Sequence, residues 1–477
     1  MIVRDEAALL PRFLEAARGC FDELCVVDTG SVDDTVAILT AAGGTITRRA
    51  WDDDFAAARN ASLNLATGDV VLVLDPDELP SPEFAPALRA AVADRSSGAW
   101  TLTVRNLLHG GHHRDSHLLR AFVRDASIRY AHRIHEDASV SVFAALERGG
   151  LRVGHVHPPV EHVGYLRERA TEKDKRGRDR RLLARALRED PTDLYSRFKL
   201  LEQGRFWADG AALAADAAQT WAWLCGQSGA QAALREAPFG GELLTLVAAG
   251  LHAESERARL QFLLDHEALV TPSPAFLLAR GELHESLGAP DAAARDYEAC
   301  RRGRDASGQR TGARPLPGLA RLALGRGDLS EAMRRADQAL RESPRDPEAL
   351  LCALALRRTD PASLGRFAGQ HVRDGGPTFE LAQALVSLGA LDAAREVLRL
   401  RLPTDPAAAL GIVLCELLSG IDSDVEIELT QGQADAALRG WVQTLRTAME
   451  PALLPRLRAL APALAESFPW LEAELRG

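Results

Sequence analysis

The chain of 477 residues is 46% apolar and 26% charged, a composition typical of folded proteins and long enough for roughly two to four domains. Its formal net charge of -10 argues against a general nucleic-acid-binding protein. Because no apolar run approaches the roughly 18 residues that cross a bilayer and the six cysteines form no Cys-x-x-Cys pair, we expect a cytoplasmic protein with no membrane span and no disulfide.

Short apolar segments alternate with helical patterns in the first third of the chain. The predicted strands lie at 2–3, 23–27, 45–47, 70–74, 100–104, 121–123 and 153–157. The predicted helices among the first four strands lie near 6–19, 32–42 and 54–66. Such alternation is typical of βαβ units and predicts an α/β domain built on a parallel sheet.

Two carboxylates, Asp75 and Asp77, follow directly after the predicted strand 70–74. Ligands of open α/β sheets bind at the carboxyl ends of strands. Paired carboxylates there suit Mg²⁺ or Mn²⁺, which usually keep positions for substrate phosphates. The alternative is an ordinary polar turn, because Asp-Pro-Asp is also common turn composition.

Asp28 and Arg59 are predicted to lie near the same edge. Asp28 ends the strand 23–27 and can accept a hydrogen bond from a ribose or base if Ser31 caps the next helix. Arg59 lies on the helix before the strand 70–74, where its planar guanidinium can reach a diphosphate. The alternatives are a helix cap for Asp28 and a solvent-facing position for Arg59.

From about residue 167 strand signals nearly vanish and sets of small residues recur with identical offsets, as in helix–turn–helix units of about 34 residues. The sets are Gly281, Gly288, Ala293 and Tyr297; Ala320, Gly327, Ala332 and Ala336; Ala382, Gly389, Ala394 and Leu398; and a weaker copy, Gln203, Gly210 and Ala215. We predict an α/β domain over 1–166, a solvated linker helix over 167–190 and a helical repeat domain over 191–477. The alternative is an ordinary Ala- and Leu-rich helical domain.

Four segments in this order carry a resemblance to a known family: MIVRDE at 1–6, VVDTGSVDDT at 26–35, FAAARN at 55–60 and LVLDPDE at 72–78. They are similar to family 2 glycosyltransferases of the GT-A fold. More narrowly, the chain resembles the bacterial branch in which that domain precedes tetratricopeptide repeats, the sublancin-type S-glycosyltransferases. The resemblance implies a GT-A domain followed by an all-α tetratricopeptide-like domain. It also implies inverting transfer of a sugar from a nucleotide-diphosphate sugar, most simply a UDP-sugar, to a peptide or protein side chain.

The resemblance also assigns roles to residues on the donor side. Glu6 and Asp28 would contact the nucleotide, and Arg59 would lie near the diphosphate. Asp77 would coordinate Mn²⁺ or Mg²⁺, while Asp75 would support the sugar or ribose and assist the metal.

Two later segments fit the same branch. The segment 133–136 resembles the family's Arg-Ile-His-Glu, which makes Glu136 the expected general base with His135 beside it. The segment 161–165 resembles its His-x-Gly-Tyr, which makes His162 the expected third metal ligand. The alternatives are a charged surface turn at Glu136, and His155 or His157 in place of His162. The histidine-rich stretch at 109–117 favours an acceptor-side loop over a zinc site.

The helical repeats would form a surface for docking the acceptor or for a homodimer. Two other functions stay open. One is a catalytically inactive scaffold that binds a nucleotide sugar and mediates protein–protein interaction. The other is a glycosyltransferase that acts on polysaccharide acceptors.

Overall fold

The computed structural model describes residues 1–107, 113–163, 170–303, 313–344, 346–373, 378–402, 407–426, 429–465 and 467–476. The chain divides into two compact units, Met1–Asp216 and Ala217–Gly477. The predicted boundaries at 166 and 190 both fall inside the first unit and stay predictions. Of the expected histidine-rich loop at 109–117, residues 109–112 lie outside the described residues. The expectation of a loop is wrong for 113–117, which lie in the strand His113–Val123 because they pair with residues 103–107 of the preceding strand. Among the described helices, none has the length and apolar character needed to cross a membrane.

The first unit begins with a three-stranded parallel sheet in the order β1-β2-β3. Its strands are β1 Ile2–Val3, β2 Cys25–Asp28 and β3 Thr45–Arg48, connected by helices α1 Leu10–Ala16 and α2 Thr35–Ala41. Val3, Val26, Leu10 and Leu39 form its buried core. This part confirms the predicted βαβ organisation.

A second sheet has five strands in the order β4-β7-β6-β8-β5. They are β4 Val70–Leu72, β5 Glu78–Pro80, β6 Ser97–Leu107, β7 His113–Val123 and β8 Arg152–His162. Only β6 and β8 pair in parallel; β4 pairs with β7 in the antiparallel sense. The prediction of one parallel sheet is therefore wrong for this half, because the short β6–β7 connection produces an antiparallel pair.

Strand lengths in the second sheet also differ from the prediction. β6 and β7 each run for 11 residues, beyond the predicted 100–104 and 121–123. Along β6 the apolar Trp100, Leu102 and Val104 alternate with Thr101 and Thr103 as the two faces of a strand require. The polar ends of these strands obscured the apolar signal, and β5, with three residues, was too short to predict.

Four more helices complete the framework of the first unit: α3 Phe55–Leu65, α4 Phe84–Ala93, α5 Ser139–Gly149 and α6 Ala170–Glu189; α7 Leu194–Phe206 follows. α6 covers most of the predicted linker, but it is not solvated all round. Its Leu182 and Leu183 are fully buried and pack with Leu200 of α7 against Ile134. The helices after the second sheet therefore contribute to the first unit's core.

The rest of the chain is helical. Its helices are α8 Gly210–Gly226, α9 Ala230–Glu236, α10 Gly240–Leu251, α11 Glu256–Asp265, α12 Pro274–Ser286, α13 Pro290–Arg302, α14 Leu316–Gly325, α15 Leu329–Glu342, α16 Pro347–Ala355, α17 Pro361–Arg373, α18 Thr378–Ser387, α19 Leu391–Arg401, α20 Ala407–Leu418, α21 Gln431–Arg446, α22 Leu453–Leu464 and α23 Leu471–Arg476. A 3-10 turn, Glu267–Leu269, precedes α12.

The three strong repeat sets occupy helical hairpins, as predicted. Gly288, Gly327 and Gly389 have φ of 76°, 78° and 76°, and each lies two residues before a second helix begins. In the weak copy the left-handed residue is Ala208, with φ 50°, and α8 begins at Gly210. The predicted register of that copy is therefore wrong by two residues, because an alanine occupies the place where glycine is usual.

Small residues allow close helix packing at the repeat positions. A Cβ on Gly281 would lie 2.8 Å from the Tyr297 ring, and one on Gly318 would lie 2.5 Å from it. Tyr297 is 1% exposed, so its ring fills the space that the two glycines leave. The tetratricopeptide-like interpretation is confirmed.

Candidate active site

A buried arginine joins two of the predicted site carboxylates. Arg59 on α3 is 3% exposed. Its Nη2 donates to Asp75 Oδ1 at 2.6 Å and its Nε donates to Glu136 Oε1 at 3.1 Å. Asp75 follows β4, and Glu136 lies in the loop between β7 and α5. One guanidinium therefore holds two acidic groups from distant segments in one place.

Helix α3 binds the Glu136 loop at two further points. The Phe55 backbone N–H donates to the Arg133 carbonyl at 2.8 Å. The Asn60 amide donates to the Tyr130 carbonyl at 2.9 Å and accepts from the Tyr130 N–H at 2.8 Å. Asp54 caps the helix by accepting from the Ala57 N–H at 2.8 Å. The FAAARN segment thus serves to position this loop.

A second arginine, not predicted as a site residue, completes the network. Arg120 on β7 donates from Nη2 to Glu78 Oε1 at 2.8 Å and lies 3.8 Å from Asp75 Oδ2. Glu78 is 3% exposed, and its Oε2 accepts from the Asp75 N–H at 3.0 Å. Glu78 therefore closes the Asp75–Glu78 turn. Glu78 ends the segment LVLDPDE that carries the family resemblance, whereas for Arg120 the sequence signal was a charge next to the apolar residues 121–123.

Opposite charges in this network hold Asp75 and Arg59 ionised. Burial alone would raise the pKa of Asp75, but Arg59 and Arg120 outweigh it and lower the pKa to about 2. Burial would likewise lower the pKa of Arg59, yet Asp75 and Glu136 raise it above its usual value. Burial raises the pKa of Glu78, with Arg120 opposing. Asp75 and Arg59 are therefore a charged pair at neutral pH.

Asp77 faces a histidine instead of an arginine. His162 ends β8, where it pairs with Asn106 of β6 and Glu78 of β5. Its Nε2 lies 3.2 Å from Asp77 Oδ2, and its Nδ1 lies 2.8 Å from Asn106 Oδ1. The Val163 N–H fixes the turn by donating to the Asp77 carbonyl at 2.9 Å. The rest of the His-x-Gly-Tyr segment, from residue 164, lies outside the described residues.

This pair fits a divalent cation. Because the Asn106 oxygen can only accept, His162 Nδ1 carries a proton and Nε2 faces the Asp77 carboxylate. Burial lowers the pKa of His162, but the hydrogen bond and the charge of Asp77 outweigh it and raise that pKa. A proton or a metal must lie between Nε2 and the carboxylate. Among the described residues, no three His, Cys, Asp or Glu side chains are grouped as a complete metal site. Two protein ligands with remaining positions for phosphate oxygens match Mg²⁺ or Mn²⁺ chemistry.

His155, the alternative to His162 as a metal ligand, makes its contacts elsewhere in the sheet. The two nitrogens of His155, Nδ1 and Nε2, lie 2.8 Å and 3.1 Å from the hydroxyls of Thr101 and Thr103. Its ring also makes an edge contact with the ring of His157. Of the three neighbouring histidines, only His162 approaches Asp77.

Asp28 is the last residue of β2, and Glu6 lies in the loop after β1. The expectation that Asp28 and Asp75 follow strands of one sheet is wrong, because β2 and β4 belong to different sheets. Asp28 is 1% exposed, and its Oδ1 accepts from the Ser31 N–H at 3.1 Å. The Glu6 N–H donates to the Thr35 hydroxyl at 2.8 Å. The prediction that Ser31 caps the next helix is wrong, because α2 begins later and Asp34 occupies its N-cap position.

His135 precedes Glu136 in the same loop. Its pKa is lowered by burial and by Lys199, so its imidazole is neutral at physiological pH. The hydroxyl of Tyr195 donates to its carbonyl at 2.9 Å. Nothing in the sequence pointed to Tyr195, which lies on α7, 60 residues further along the chain.

Residues 1–144 match the family model for glycosyl transferase family 2. A TPR repeat-containing protein of Synechococcus elongatus is 39% identical over 202 residues, 42% of this chain and 50% of that protein. Glycosyltransferase SunS of Bacillus phage SPbeta is 33% identical over 85 residues, 17% of this chain and 20% of that protein. The chain thus spans half or less of the length of these relatives.

Two solved structures align with parts of this chain at low similarity. Glucosyl-3-phosphoglycerate synthase from Mycobacterium tuberculosis, in complex with Mn²⁺ and UDP-glucose, has 18% identity and a TM-score of 0.28 over 38% of this chain and 74% of that one. A TPR protein of Thermus thermophilus has 19% identity and a TM-score of 0.28 over 41% of this chain and 93% of that one.

Fold and family match together define the class of protein: an α/β domain with a carboxylate-rich site, followed by tetratricopeptide-like helices. The N-terminal part is a family 2 glycosyltransferase domain, fused to a helical repeat region.

Proposed function

We propose that the chain is a glycosyltransferase that moves a sugar from a nucleotide-diphosphate sugar, a UDP-sugar first of all, to an acceptor nucleophile. The observation that carries this proposal is the Asp75–Arg59–Glu136 network. It joins the acidic turn after β4, on the donor side, to a partly exposed carboxylate that can serve an acceptor.

On the donor side, Asp77 and His162 would hold Mn²⁺ or Mg²⁺ together with diphosphate oxygens. A bound cation supplies Lewis-acid stabilisation of charge on the leaving diphosphate. Glu6, in the loop after β1, and Asp28, at the end of β2, would contact the nucleotide. Arg59 is enclosed by carboxylates, so we assign it to holding Asp75 and Glu136 and not to direct contact with the diphosphate.

On the acceptor side, Glu136 would act as general base. The acceptor heteroatom attacks the anomeric carbon, the bond from that carbon to the diphosphate oxygen breaks, and Glu136 takes the acceptor's proton. Base catalysis of this kind typically contributes about 10²- to 10⁴-fold. The Glu136 side chain is 16% exposed, which leaves one side open for an incoming nucleophile. A single displacement inverts the anomeric configuration.

We further propose that the acceptor is a peptide or protein side chain, docked by the helical repeats, which can also serve a homodimer. A polysaccharide acceptor is the alternative within the same reaction. The cytoplasmic location expected from cysteine usage belongs to this proposal as well. A non-catalytic scaffold is disfavoured because Asp75, Arg59 and Glu136 form a connected network and Asp77 faces His162.

Hydrolysis of nucleotide sugars tests the proposal without knowledge of the acceptor, because water can replace it. We expect turnover of at least one nucleotide sugar that requires Mn²⁺ or Mg²⁺ and is abolished by EDTA. Glu136→Gln should reduce turnover at least about 100-fold. Glu15→Gln is the matched control, because the Glu15 side chain is exposed and pairs with Arg18 on the surface. Wild-type turnover by Glu136→Gln would refute the assignment of the base.

A further inference from the structure

The loop that carries Glu136 has an unfavourable backbone conformation. His132 and His135 have φ of 69° and 53°. Residues with a Cβ rarely adopt this left-handed region, and they stay in it only when surrounding contacts hold them there. The antiparallel bridge between Ala131 and Asp137 closes the loop around both residues. Two such residues within the five that lead to Glu136 require an external support.

Tyr195 contacts both of these residues. Its ring stacks on the His132 imidazole with centroids 3.9 Å apart and planes inclined by 24°. Its hydroxyl donates to the His135 carbonyl at 2.9 Å. The phenol therefore touches the loop at each of its left-handed positions, through an aromatic contact at one and a hydrogen bond at the other.

Helices α6 and α7 hold the segment between these two histidines. Ile134 is 5% exposed and packs against Leu182 and Leu183 of α6 and Leu200 of α7. Arg133 pairs with Glu189 of α6 at 2.6 Å. All of these supports lie beyond residue 144, where the match to the family ends. The transferase domain alone does not contain them.

We propose that Tyr195 is a positioning residue for Glu136, and that α6 and α7 complete the active site. This inference rests on the proposed role of Glu136 as base. The peptide group that joins His135 to Glu136 contains the carbonyl that Tyr195 binds. Loss of that hydrogen bond lets the peptide rotate and moves the Glu136 carboxylate away from Arg59 and from the acceptor. Tyr195 binds the loop on the acceptor side, whereas Asp77 and His162 lie on the donor side, so we expect donor binding to be unaffected.

The first test compares two substitutions in nucleotide-sugar hydrolysis. Tyr195→Phe removes only the hydroxyl and should lower kcat about tenfold. Tyr195→Ala also removes the stacked ring and should lower kcat about 100-fold, which is the loss expected when a catalytic group is displaced by about 1 Å. KM for the nucleotide sugar should stay within about twofold in both. Tyr297→Phe is the matched control, because it removes a buried hydroxyl from the second unit. Wild-type kcat in Tyr195→Ala would overturn the inference.

A double mutant separates positioning from general support of the fold. If Tyr195 acts through Glu136, Tyr195→Phe in the Glu136→Gln background should cost less than about twofold more. An equal loss in both backgrounds would overturn the inference. Hydrogen exchange of the Asp137 amide, bonded to the Ala131 carbonyl, gives a readout that needs no turnover. It should rise at least about tenfold in Tyr195→Ala. An unchanged exchange rate of the Asp137 amide in Tyr195→Ala would overturn the inference. If the wild-type protein hydrolyses no nucleotide sugar, that result refutes only the proposed function.

Discussion

Arg59 Nε donates to Glu136 Oε1 at 3.1 Å, although the two residues are 77 positions apart in the chain. The same guanidinium binds Asp75 through Nη2, and its side chain is 4% exposed. Because the guanidinium is buried, Arg59 depends on the two carboxylates to balance its charge, and the partly exposed carboxylates depend on Arg59 for their position. The contact between Arg59 and Glu136 thus stabilises the fold, and it also connects the proposed donor side of the site, at Asp75, with the proposed acceptor side, at Glu136.

Removal of the guanidinium should therefore destabilise the protein. Arg59→Met leaves Asp75 and Glu136 without their shared partner, and we expect a loss of about 3 kcal/mol in the free energy of unfolding of the first unit. Arg18→Met is the control, since the Arg18–Glu15 pair is exposed and should contribute less than about 1 kcal/mol. Urea unfolding followed by far-UV circular dichroism measures both. Equal stability of the two variants would contradict the account.

Asn106 should matter for metal affinity although it is not a ligand itself. It fixes the His162 tautomer by accepting from Nδ1, so Asn106→Leu frees the ring to turn or to change its proton. We expect the apparent Mn²⁺ affinity to fall about 10- to 100-fold in titrations of turnover or of Mn²⁺ paramagnetic resonance. Asn64→Leu, at an exposed residue that accepts from Arg129, should leave it unchanged. Loss of affinity in both variants would point to a general effect.

Close packing in the repeats gives a prediction for the second unit. A Cβ on Gly318 would lie 2.5 Å from the Tyr297 ring, so Gly318→Ala should destabilise by about 1–3 kcal/mol. Gly325→Ala on the same helix, where a Cβ meets nothing within 4 Å, should be neutral or stabilising. Thermal and urea unfolding compare the two. A tolerated Gly318→Ala would mean that the helices are further apart than described.

The turn at Ala208 predicts a stabilising substitution. Ala208 has φ 50° where other hairpins of the chain have glycine, so Ala208→Gly should stabilise by about 1 kcal/mol. The same change at Ala211, inside α8, should destabilise by a similar amount because glycine loses more chain entropy in a helix. Opposite signs of the two effects in urea unfolding are the expected result, and the same sign would contradict the assigned turn.

The sequence predicted local features of the chain better than it predicted which strands pair with each other. Apolar runs and turn residues predicted that Asp75 and Asp77 follow a strand. The offsets of Gly288, Gly327 and Gly389 predicted the turns between the two helices of three hairpins. These features depend on a few neighbouring residues. The antiparallel pairing of β4 with β7 depends on which strands meet in space, and nothing near Val70–Leu72 encodes it.

The connections within the site show the same difference. The position of Arg59 before the strand 70–74, and the resemblance of the segment 133–136 to the family's Arg-Ile-His-Glu, identified Arg59 and Glu136 separately, but not that one would bind the other. Tyr195 carries no local signal at all, since its role comes from the position of α7 against a loop formed much earlier in the chain. The predicted register of the weak repeat copy was wrong for a local reason, because Ala208 adopts the left-handed conformation that usually marks a glycine.

Binding of UDP tests the central claim most directly, because it requires neither the acceptor nor the sugar. Calorimetric titration of UDP into the full chain should show binding with Mn²⁺ that disappears with EDTA and in Asp77→Asn, and that persists in Glu136→Gln. Such a pattern would place the metal and the nucleotide on the Asp77–His162 side and the base elsewhere. Equal UDP binding with and without metal, or by wild type and Asp77→Asn, would contradict the account.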